Sequence, residues 1–508
     1  MQTLNFYDKP TSLLLVGKIA AHIKPGMTDK EFLEHEIKAW LSSPERKIQI
    51  EGDDYYDGKH DILKRKRTVI GEGGEPQEVK NLPNNRIVDN QYAKIVDQKA
   101  NYLCGRPFVF DTEDKAYSEA LEKIFTRKVR RKIRIAAERA LTGGKVWVFP
   151  YYKELGELSF AVLPAHEVLP FWADTEHDEL DCAVHFFPVY VYNEGVEEII
   201  YKVEVLHGGG IERFIWDNGT LVFDNDAMSG AYVTITDDKG NKAGYNWDRL
   251  PLVCFKANHR EQSLLRRVKC LQDALNLILS NFVNAMEEDV RNTVLVIHNY
   301  DGTDLGEFRR NLATYGAVKV RSFEGSDGAV DKLEIELNAE NYKTVADLLK
   351  KAIIENARGY DAKDERMSGT PNQMNIRSMY SDIDLDANSM ETEFQAAFED
   401  LLWFVNVHLA NTGAGKFENT NVKVIFDRDI LVNETEAIDN CGRSAGIISE
   451  ETIVKQHPWV DNPTEELERI KAEREKAAAE ADAYRSAFEN GAGSQSGTQN
   501  SDGGNIDE

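Results

Sequence analysis

The chain has 508 residues, 42% of them hydrophobic, which is enough for several folded domains and excludes a largely disordered protein. Asp and Glu total 87 against 61 Lys and Arg, a formal net charge of −26 at pH 7. Proteins that grip nucleic acid neutralise its phosphates with clustered cations, so this balance argues against such a role. A solubilising acidic surface explains the same charge equally well.

The chain shows no sign of secretion or membrane insertion. The first apolar run, Leu13 to Val16, is too short for a signal peptide. No stretch approaches the roughly 18 apolar residues of a membrane span. The cysteines are far apart without a C-x-x-C pair, which predicts free, buried thiols in a reducing cytoplasm and no zinc site. They are Cys104, Cys182, Cys254, Cys270 and Cys441.

The N-terminal third predicts helices and a short hairpin. Residues 1–50 are helical in pattern, with a capping box formed by Thr28 and Glu31. The Gly-rich stretch Gly71–Gly74 predicts a turn between two strands, and a helix is expected to begin near Arg86.

Two basic runs and a β-rich region follow. The basic runs are Lys64–Arg67 and Arg127–Arg134, the second within a predicted helix around Arg127–Arg139. They either contact phosphates or form a solvated face or a salt-bridged contact with an acidic neighbouring subunit, and the net charge favours the second interpretation. Residues 145–255 are β-branched and aromatic with Gly- and Asn-rich turns, which predicts an all-β or α+β region. The predicted strands are Val146–Tyr152, His185–Tyr192, Glu198–Leu206 and Ile211–Trp216.

Two long helices are predicted to flank a small α/β segment. Between Glu261 and Val290 apolar residues alternate at spacings of four and three, which predicts a helix of roughly 45 Å. A second long helix is predicted at Asn341–Arg358, with Tyr342, Val345, Leu349, Ala352 and Ile353 on one face. The intervening elements are strand Thr293–His298, helix Leu305–Tyr315, strand Ala317–Val320 and strand Lys332–Leu337.

The C-terminal region is predicted to be mostly helical. A third long helix runs from Ile376 to about Ala410, followed by a strand at Val422–Phe426. Two further helices are predicted at Glu434–Ile447 and Glu450–Phe488. Residues 490–508 lack apolar content, which predicts a disordered tail.

Three fragments imitate enzyme motifs. His207–Gly210 resembles an oxyanion-hole loop and Gly442–Gly446 satisfies G-x-S-x-G, but a nucleophile elbow needs a buried strand before its serine. The residues before Ser444 are polar and helical in pattern, so a turn and a helix end are the favoured interpretation. Gly143–Lys145 lacks the spacing and the Ser or Thr of a phosphate-binding loop, which argues against an ATPase.

Five blocks occur in a fixed order along the chain, at Tyr55–Ile62, Asn81–Phe108, Leu163–Phe171, Ser368–Leu385 and Gly446–Thr452. Together they resemble the portal (head–tail connector) proteins of long-tailed bacteriophages. This chain differs from that family after Ser368–Gly369, where polar residues replace a small apolar stretch.

The resemblance implies an α+β, mainly helical portal fold assembled as a ring. It also implies how the chain is divided into parts. The expected parts are the wing (1–255), a first stem helix (256–291), the clip (292–340), a second stem helix (341–358), the tunnel loop (359–375), the channel helix (376–411), a wing return strand (412–433), the crown (434–488) and the tail (489–508).

The resemblance also implies a structural subunit, not an enzyme, in a ring of twelve at one capsid vertex through which double-stranded DNA is packaged and ejected. The implied partners are the large terminase subunit, major capsid protein, scaffolding protein and a head-completion or adaptor protein, with no cofactor, metal or membrane. The protein would lie in the virion, and in the host cytoplasm during assembly. The alternatives are a hydrolase using Ser444 and a cellular helical scaffold.

Two sets of site residues follow from this interpretation. The third long helix carries acids that are either a solvated face or a channel wall that repels DNA. The expected channel-lining residues are Ser368, Gly369, Thr370, Asn372, Gln373, Asn375, Asp382, Asp384 and Asp386. The expected subunit-interface residues are Leu264, Val268, Leu271, Leu275, Ile278 and Phe282.

Overall fold

The computed structural model describes most of the chain and divides it into two units. The described residues are 29–70, 75–78, 82–153, 156–193, 195–227, 229–236, 241–289, 294–297, 330–333, 339–361, 373–428, 434–460 and 463–492. The first unit comprises residues 1–361 and 380–429, and the second comprises 362–379 and 430–508.

The first unit combines helices with antiparallel sheets that are segregated along the chain, which confirms the predicted α+β class. Its helices are α1 (Asp29–Leu41), α2 (Pro44–Tyr56), α3 (Gln91–Cys104), α4 (Lys115–Ile124), α5 (Arg127–Gly143), α6 (Leu265–Asp289), α7 (Ala339–Asn356) and α8 (Gln373–Asn411), whose first turns belong to the second unit. Its strands are β1 (Thr68–Ile70), β2 (Pro76–Glu78), β3 (Val109–Asp111), β4 (Lys145–Tyr152), β5 (Leu158–Pro164), β6 (Val168–Trp172), β7 (Leu180–Asn193), β8 (Val196–His207), β9 (Gly210–Asp217), β10 (Thr220–Phe223), β11 (Val233–Thr236), β12 (Lys242–Tyr245), β13 (Val253–Lys256), β14 (Val294–Ile297), β15 (Val330–Leu333) and β16 (Lys423–Ile425).

The predicted β-rich region forms a five-stranded antiparallel sheet in the order β10-β9-β8-β7-β6. Helix α1 covers one face of it, and Leu33, Ile37 and Trp40 pack against sheet residues that include Phe186. His207 pairs with Gly210 across a tight hairpin between β8 and β9. The Gly-rich fragment is therefore a turn, as its position between two strand patterns predicted.

A three-stranded sheet in the order β13-β4-β5 separates two hydrophobic clusters. Successive side chains of a strand point to opposite faces, and β4 follows this rule. Val146 and Val148 pack in the main core with Ile133 of α5, whereas Trp147 packs on the other face with Trp172. Helix α5 and the Trp147 side chain thus lie on opposite faces of one sheet.

The main core joins distant parts of the chain through aromatic side chains. Strands β3 and β16 pair antiparallel. Phe398 of α8 lies 5.0 Å from Phe108, 5.5 Å from Phe255 and 6.1 Å from Phe426, measured between ring centroids. Offset and edge-on ring pairs of this kind stabilise a core beyond their buried area. The C-terminal half of α8 is consequently anchored inside the first unit.

Helices α6 and α7 are the two predicted long helices, and their apolar faces meet within one chain. The Phe282 ring lies 5.0 Å from the Tyr342 ring, and Ile353 of α7 is fully buried. Strands β14 and β15 pair antiparallel between the two helices in the chain order. The helix and strand predicted at Leu305–Tyr315 and Ala317–Val320 lie outside the described residues.

A second stripe of α6 is polar and buried. We call Gln272, Asn276, Ser280 and Asn284 the polar ladder; each is at most 2% exposed. Their side chains accept hydrogen bonds from the backbone N–H groups of Asn85, Ile87, Asp89 and Tyr92, at 2.7 to 3.1 Å. Four helical residues rise about 6 Å and two extended residues about 6.6 Å, so the two repeats match from Asn85 to Asp89. The fourth donor, Tyr92, is three residues further along and lies in α3.

The polar ladder corrects the predicted start of α3. The sequence places that start near Arg86, but residues 85–89 are held extended against α6, and the helix begins at Gln91. Asn90 caps it, with its side-chain oxygen accepting from the Ala93 N–H at 2.9 Å.

The second unit contains α9 (Glu434–Ser444), α10 (Glu450–Gln456) and α11 (Pro463–Ala492). The single helix predicted over Glu450–Phe488 is interrupted after Gln456, because Pro458 forces the preceding residue out of the helical conformation. None of the helices among the described residues is long and apolar enough to cross a bilayer.

The cysteines among the described residues are free thiols. Cys104 and Cys182 are buried as predicted, and burial raises the pKa of Cys104 to about 12. Cys270 is exposed, which corrects the expectation of burial for that residue, because it lies on the solvent side of α6.

Candidate functional site

The predicted channel-lining residues are found in two environments. Ser368, Gly369, Thr370 and Asn372 lie outside the described residues. Gln373 begins α8, and Asn375 and Asp382 are exposed on it. Asp384 and Asp386, by contrast, face other elements of the first unit, so the acids of this helix do not form one uniform surface.

Asp386 lies at the centre of a cluster of cations. Its carboxylate is 2.7 Å from Lys99 Nζ and 3.3 Å from both Arg267 Nη1 and Arg358 Nη1. The Asp386 side chain is 18% exposed and that of Lys99 only 5%. We call these four residues the Asp386 cluster. It ties together α3, α6, α8 and the end of α7.

The charges in the Asp386 cluster are set by burial and by each other. Burial alone would raise the pKa of Asp386, but the charge and hydrogen bond of Lys99 outweigh it and lower that pKa. Burial also lowers the pKa of Lys99, against the opposing effect of Asp386. The carboxylate therefore stays ionised, with its charge compensated inside the protein.

Asp384 is also compensated within the chain. Arg428 donates to Asp384, Asn388 and Glu391, and the Tyr102 hydroxyl donates to Asp384 at 3.2 Å. Burial opposes the charge of Arg428, but hydrogen bonding to Glu391 and the nearby carboxylates raises its pKa. Asp384 and Asp386 are thus compensated within the chain, and their place in the lining of a channel stays a prediction.

The exposed stripe of α8 is largely uncharged. It consists of Met374, Ser378, Ser381, Leu385, Asn388 and Thr392, at alternating spacings of four and three. Beside it, Asp382 is exposed and has no ion-pair partner among the described residues, and Arg377 is the exposed cation of the same stretch. An outward surface of hydroxyl, amide and apolar groups with balanced charges offers few strong contacts to phosphates.

The predicted subunit-interface residues are mostly used inside the chain. Leu264, Val268 and Leu275 are 5%, 0% and 0% exposed in the main core, so they offer no surface to another copy. The prediction is wrong for these three, because the apolar seam of α6 packs on its own chain. Leu271, Ile278 and Phe282 are half-buried and stay a prediction.

Large apolar residues of α6 and α7 are exposed, and of the four described here the sequence had singled out Val345 alone. Leu277 is 42% exposed, Met286 51%, Val345 39% and Leu348 61%. The available signal was an apolar residue outside the predicted seam or face, as Leu277, Met286 and Leu348 are.

The hydrolase alternative finds no supporting geometry at Ser444. The residue ends helix α9, and its hydroxyl donates to the Asn440 carbonyl at 2.7 Å, an ordinary contact one helical turn back. No strand precedes it within the second unit as described. Groups of side chains suited to holding a metal ion are also absent from the described residues.

The sequence profile of the family described as "Phage portal protein, SPP1 Gp6-like" matches residues 43–480. Two curated relatives carry the name "Portal protein". One, from Clostridium phage phiCD119, is 26% identical over 87% of this chain and 96% of its own length. The other, from Bacillus phage SPP1, is 27% identical over 84% of each.

Among solved structures, similarity extends to two gene transfer agent particles. "Neck of empty GTA particle computed with C6 symmetry" matches with a TM-score of 0.42 and 12% identity, covering 76% of this chain and 94% of the other. "Virion of native gene transfer agent (GTA) particle" matches with a TM-score of 0.40 and 14% identity, covering 77% and 95%. Scores of this size carry no weight for function.

Proposed function

Because this chain belongs to the SPP1 Gp6-like family of phage portal proteins, we propose that it forms a closed ring at one capsid vertex through which double-stranded DNA enters and leaves the head. Its role is structural, with no reaction of its own. The observation that carries the proposal is the family match over residues 43–480, which includes α6, α7 and α8.

In this proposal the parts of the fold take the roles expected from the sequence. Residues 1–255 are the wing, α6 and α7 are the stem, and the segment between these two helices is the clip. Residues 359–375 form the tunnel loop, α8 is the channel helix, and α9 to α11 are the crown. The large terminase subunit docks at the clip, and the capsid, scaffolding and adaptor proteins bind elsewhere on a ring of twelve.

The proposed conduction mechanism depends on weak adhesion. The exposed stripe of α8 faces the duplex together with Asp382, Asn375 and the 368–373 segment. Because this surface carries few cations, it binds the phosphates of DNA weakly. The duplex therefore slides without sequence preference. Asp384 and Asp386 act differently from their first assignment: they hold α8 in place from behind.

Ring contacts in this proposal use the exposed apolar residues of the stem. Leu348 and Val345 of α7, with Met286 and Leu277 of α6, are on the outside of the helix pair. A ring requires each copy to present two different surfaces to its neighbours, because its contacts are heterologous. Burial of such side chains against the next copy would add about 25 cal/mol for each Å² of apolar surface removed from water.

Sedimentation of the purified chain tests this proposal. We expect a species of about twelve times the 57.5 kDa of one chain. Leu348→Asp should shift the population toward smaller species, because a carboxylate would be buried without a partner. Val222→Asp, at another exposed apolar residue, is the matched control and should leave the ring intact. A wild-type chain that stays monomeric at all salt concentrations overturns the proposal.

A further inference from the structure

The first unit carries an acidic concave surface and, elsewhere, a basic helical surface. A cavity of about 720 Å³ is lined by Trp147, by strand β13 and by α8. We call it the acidic cleft. Its carboxylates come from the loops around β7 and β13 and from α8, and they are Asp178, Glu179, Asp181, Asp248, Glu393, Glu399 and Asp400. Arg249 and Lys256 are the lysine and arginine residues among the lining side chains.

Negative charge in the acidic cleft is only partly compensated. Arg249 lies 3.4 Å from Asp400, and Lys256 lies 4.0 Å from Asp178. Glu179, Glu393 and Glu399 make no ion pair with any described residue. Burial raises the pKa of Asp400, and the neighbouring Glu399 and Asp178 add to this rise while Arg249 opposes it. A cation brought to this site would relieve the repulsion.

The floor of the acidic cleft also has unsatisfied polar groups. Trp147 and Trp172 line it, are 0% and 5% exposed, and have indole N–H groups without an acceptor among the described residues. Buried donors without a partner are costly and uncommon in native structures. The acidic cleft thus combines uncompensated carboxylates with two buried donors that lack an acceptor.

A surface of matching positive charge lies at the end of α4 and the start of α5. We call Lys123, Arg127, Lys128 and Arg131 the basic face; all four are exposed at the end of α4 and the start of α5. None of them makes an ion pair with a described residue, although their neighbour Arg130 pairs with Glu122. In a chain with a net charge of −26, four exposed cations within nine residues, without an ion pair among the described residues, are a local exception.

We propose that the basic face of one copy docks into the acidic cleft of the next copy in the ring. The acidic cleft is lined by residues of the sheets and of α8, whereas the basic face is built by α4 and α5, and the two share no residue. One copy therefore presents two separate surfaces of opposite charge, as a head-to-tail contact needs. This inference rests on the proposed ring and names its electrostatic contact.

Charge reversal on each side and on both sides tests the contact. The basic variant is Arg127→Glu with Arg131→Glu, and the acidic variant is Glu179→Lys with Glu399→Lys. Each alone should lower the ring fraction by at least about tenfold, because like charges then meet at every interface. The chain with all four substitutions should recover the ring, because each interface is again complementary.

Lys30→Glu with Lys47→Glu is the matched control, since it changes the net charge as the basic variant does but at exposed residues of α1 and α2. Its ring fraction should stay at the wild-type value. Thermal unfolding of every variant checks that the chain still folds. A wild-type ring that neither single-sided variant weakens, or a four-fold variant without recovery, overturns this contact and leaves the proposed ring standing. Absence of any wild-type ring removes both.

Discussion

The two sides of helix α8 use similar residues for different purposes. On its inward side, Asp386 contacts Lys99, Arg267 and Arg358, and Phe398 packs among aromatic rings. On its outward side, Asp382 is exposed and lies beside hydroxyl, amide and apolar side chains. This difference shows that a run of acidic residues in a sequence does not by itself define an acidic surface. Partners from distant segments decide which carboxylates keep their charge toward solvent.

The strongest test of this difference removes each aspartate in turn. Asp386→Ala should lower the free energy of unfolding by about 3–5 kcal/mol, because it leaves Lys99 buried without its partner. Asp382→Ala is the control on the outward side and should change stability by no more than about 0.5 kcal/mol. Urea denaturation of both variants measures the gap. Equal losses would mean that the two sides do not differ as described.

The polar ladder of α6 extends the comparison to a helix whose polar stripe is the buried one. Asn276→Ala should cost about 2–3 kcal/mol, because the Asp89 N–H and the His60 ring lose their hydrogen-bonding partner in a buried position. Hydrogen exchange should show faster exchange at Asp89 together with the lower stability. Glu287→Ala, at an exposed position of the same helix, should leave both quantities unchanged. Unchanged exchange at Asp89 in Asn276→Ala would contradict the ladder.

The contribution of Asp386, on the inward side of α8, to the free energy of unfolding should also depend on pH. The pKa of Asp386 is lower in the folded chain than in the unfolded chain, where it is about 3.9. Its contribution is therefore fully present above that value and is lost as the pH falls through the folded pKa. The stability difference between the wild type and Asp386→Asn should shrink as the pH falls below about 4. A difference that grows with acid would reverse the assigned sign.

Substitutions on the outward side of α8 should leave the stability of the chain nearly unchanged but should change its adhesion to DNA. Ser381→Arg should alter the free energy of unfolding by no more than about 0.5 kcal/mol, since the residue is exposed. The assembled ring would gain one cation per copy, and its retention of double-stranded DNA at low salt should rise by about tenfold or more. Lys30→Arg, which conserves charge, is the control. Unchanged DNA retention would mean that this stripe does not face the duplex.

Contacts between neighbours along the chain could be predicted from the sequence, whereas contacts between distant segments could not. The seam containing Val268 and Leu275 predicted α6 correctly, because apolar spacing along one segment reports burial directly. The partners of Asp386 and the strand-like segment held by Asn276 come from residues far away in the chain, which local patterns do not reveal. The same limit explains two errors. The start of α3 was placed too early, and Leu264, Val268 and Leu275 were assigned to the contact with a neighbouring copy although they pack within their own chain.

The most direct test of the central claim is a reconstruction of the purified assembly by electron cryomicroscopy. The account predicts a closed ring with a central opening lined by the Ser378 and Ser381 side of α8, with Asp386 turned away from it among its cations. An assembly without an opening, or an opening lined chiefly by lysine and arginine, would contradict it.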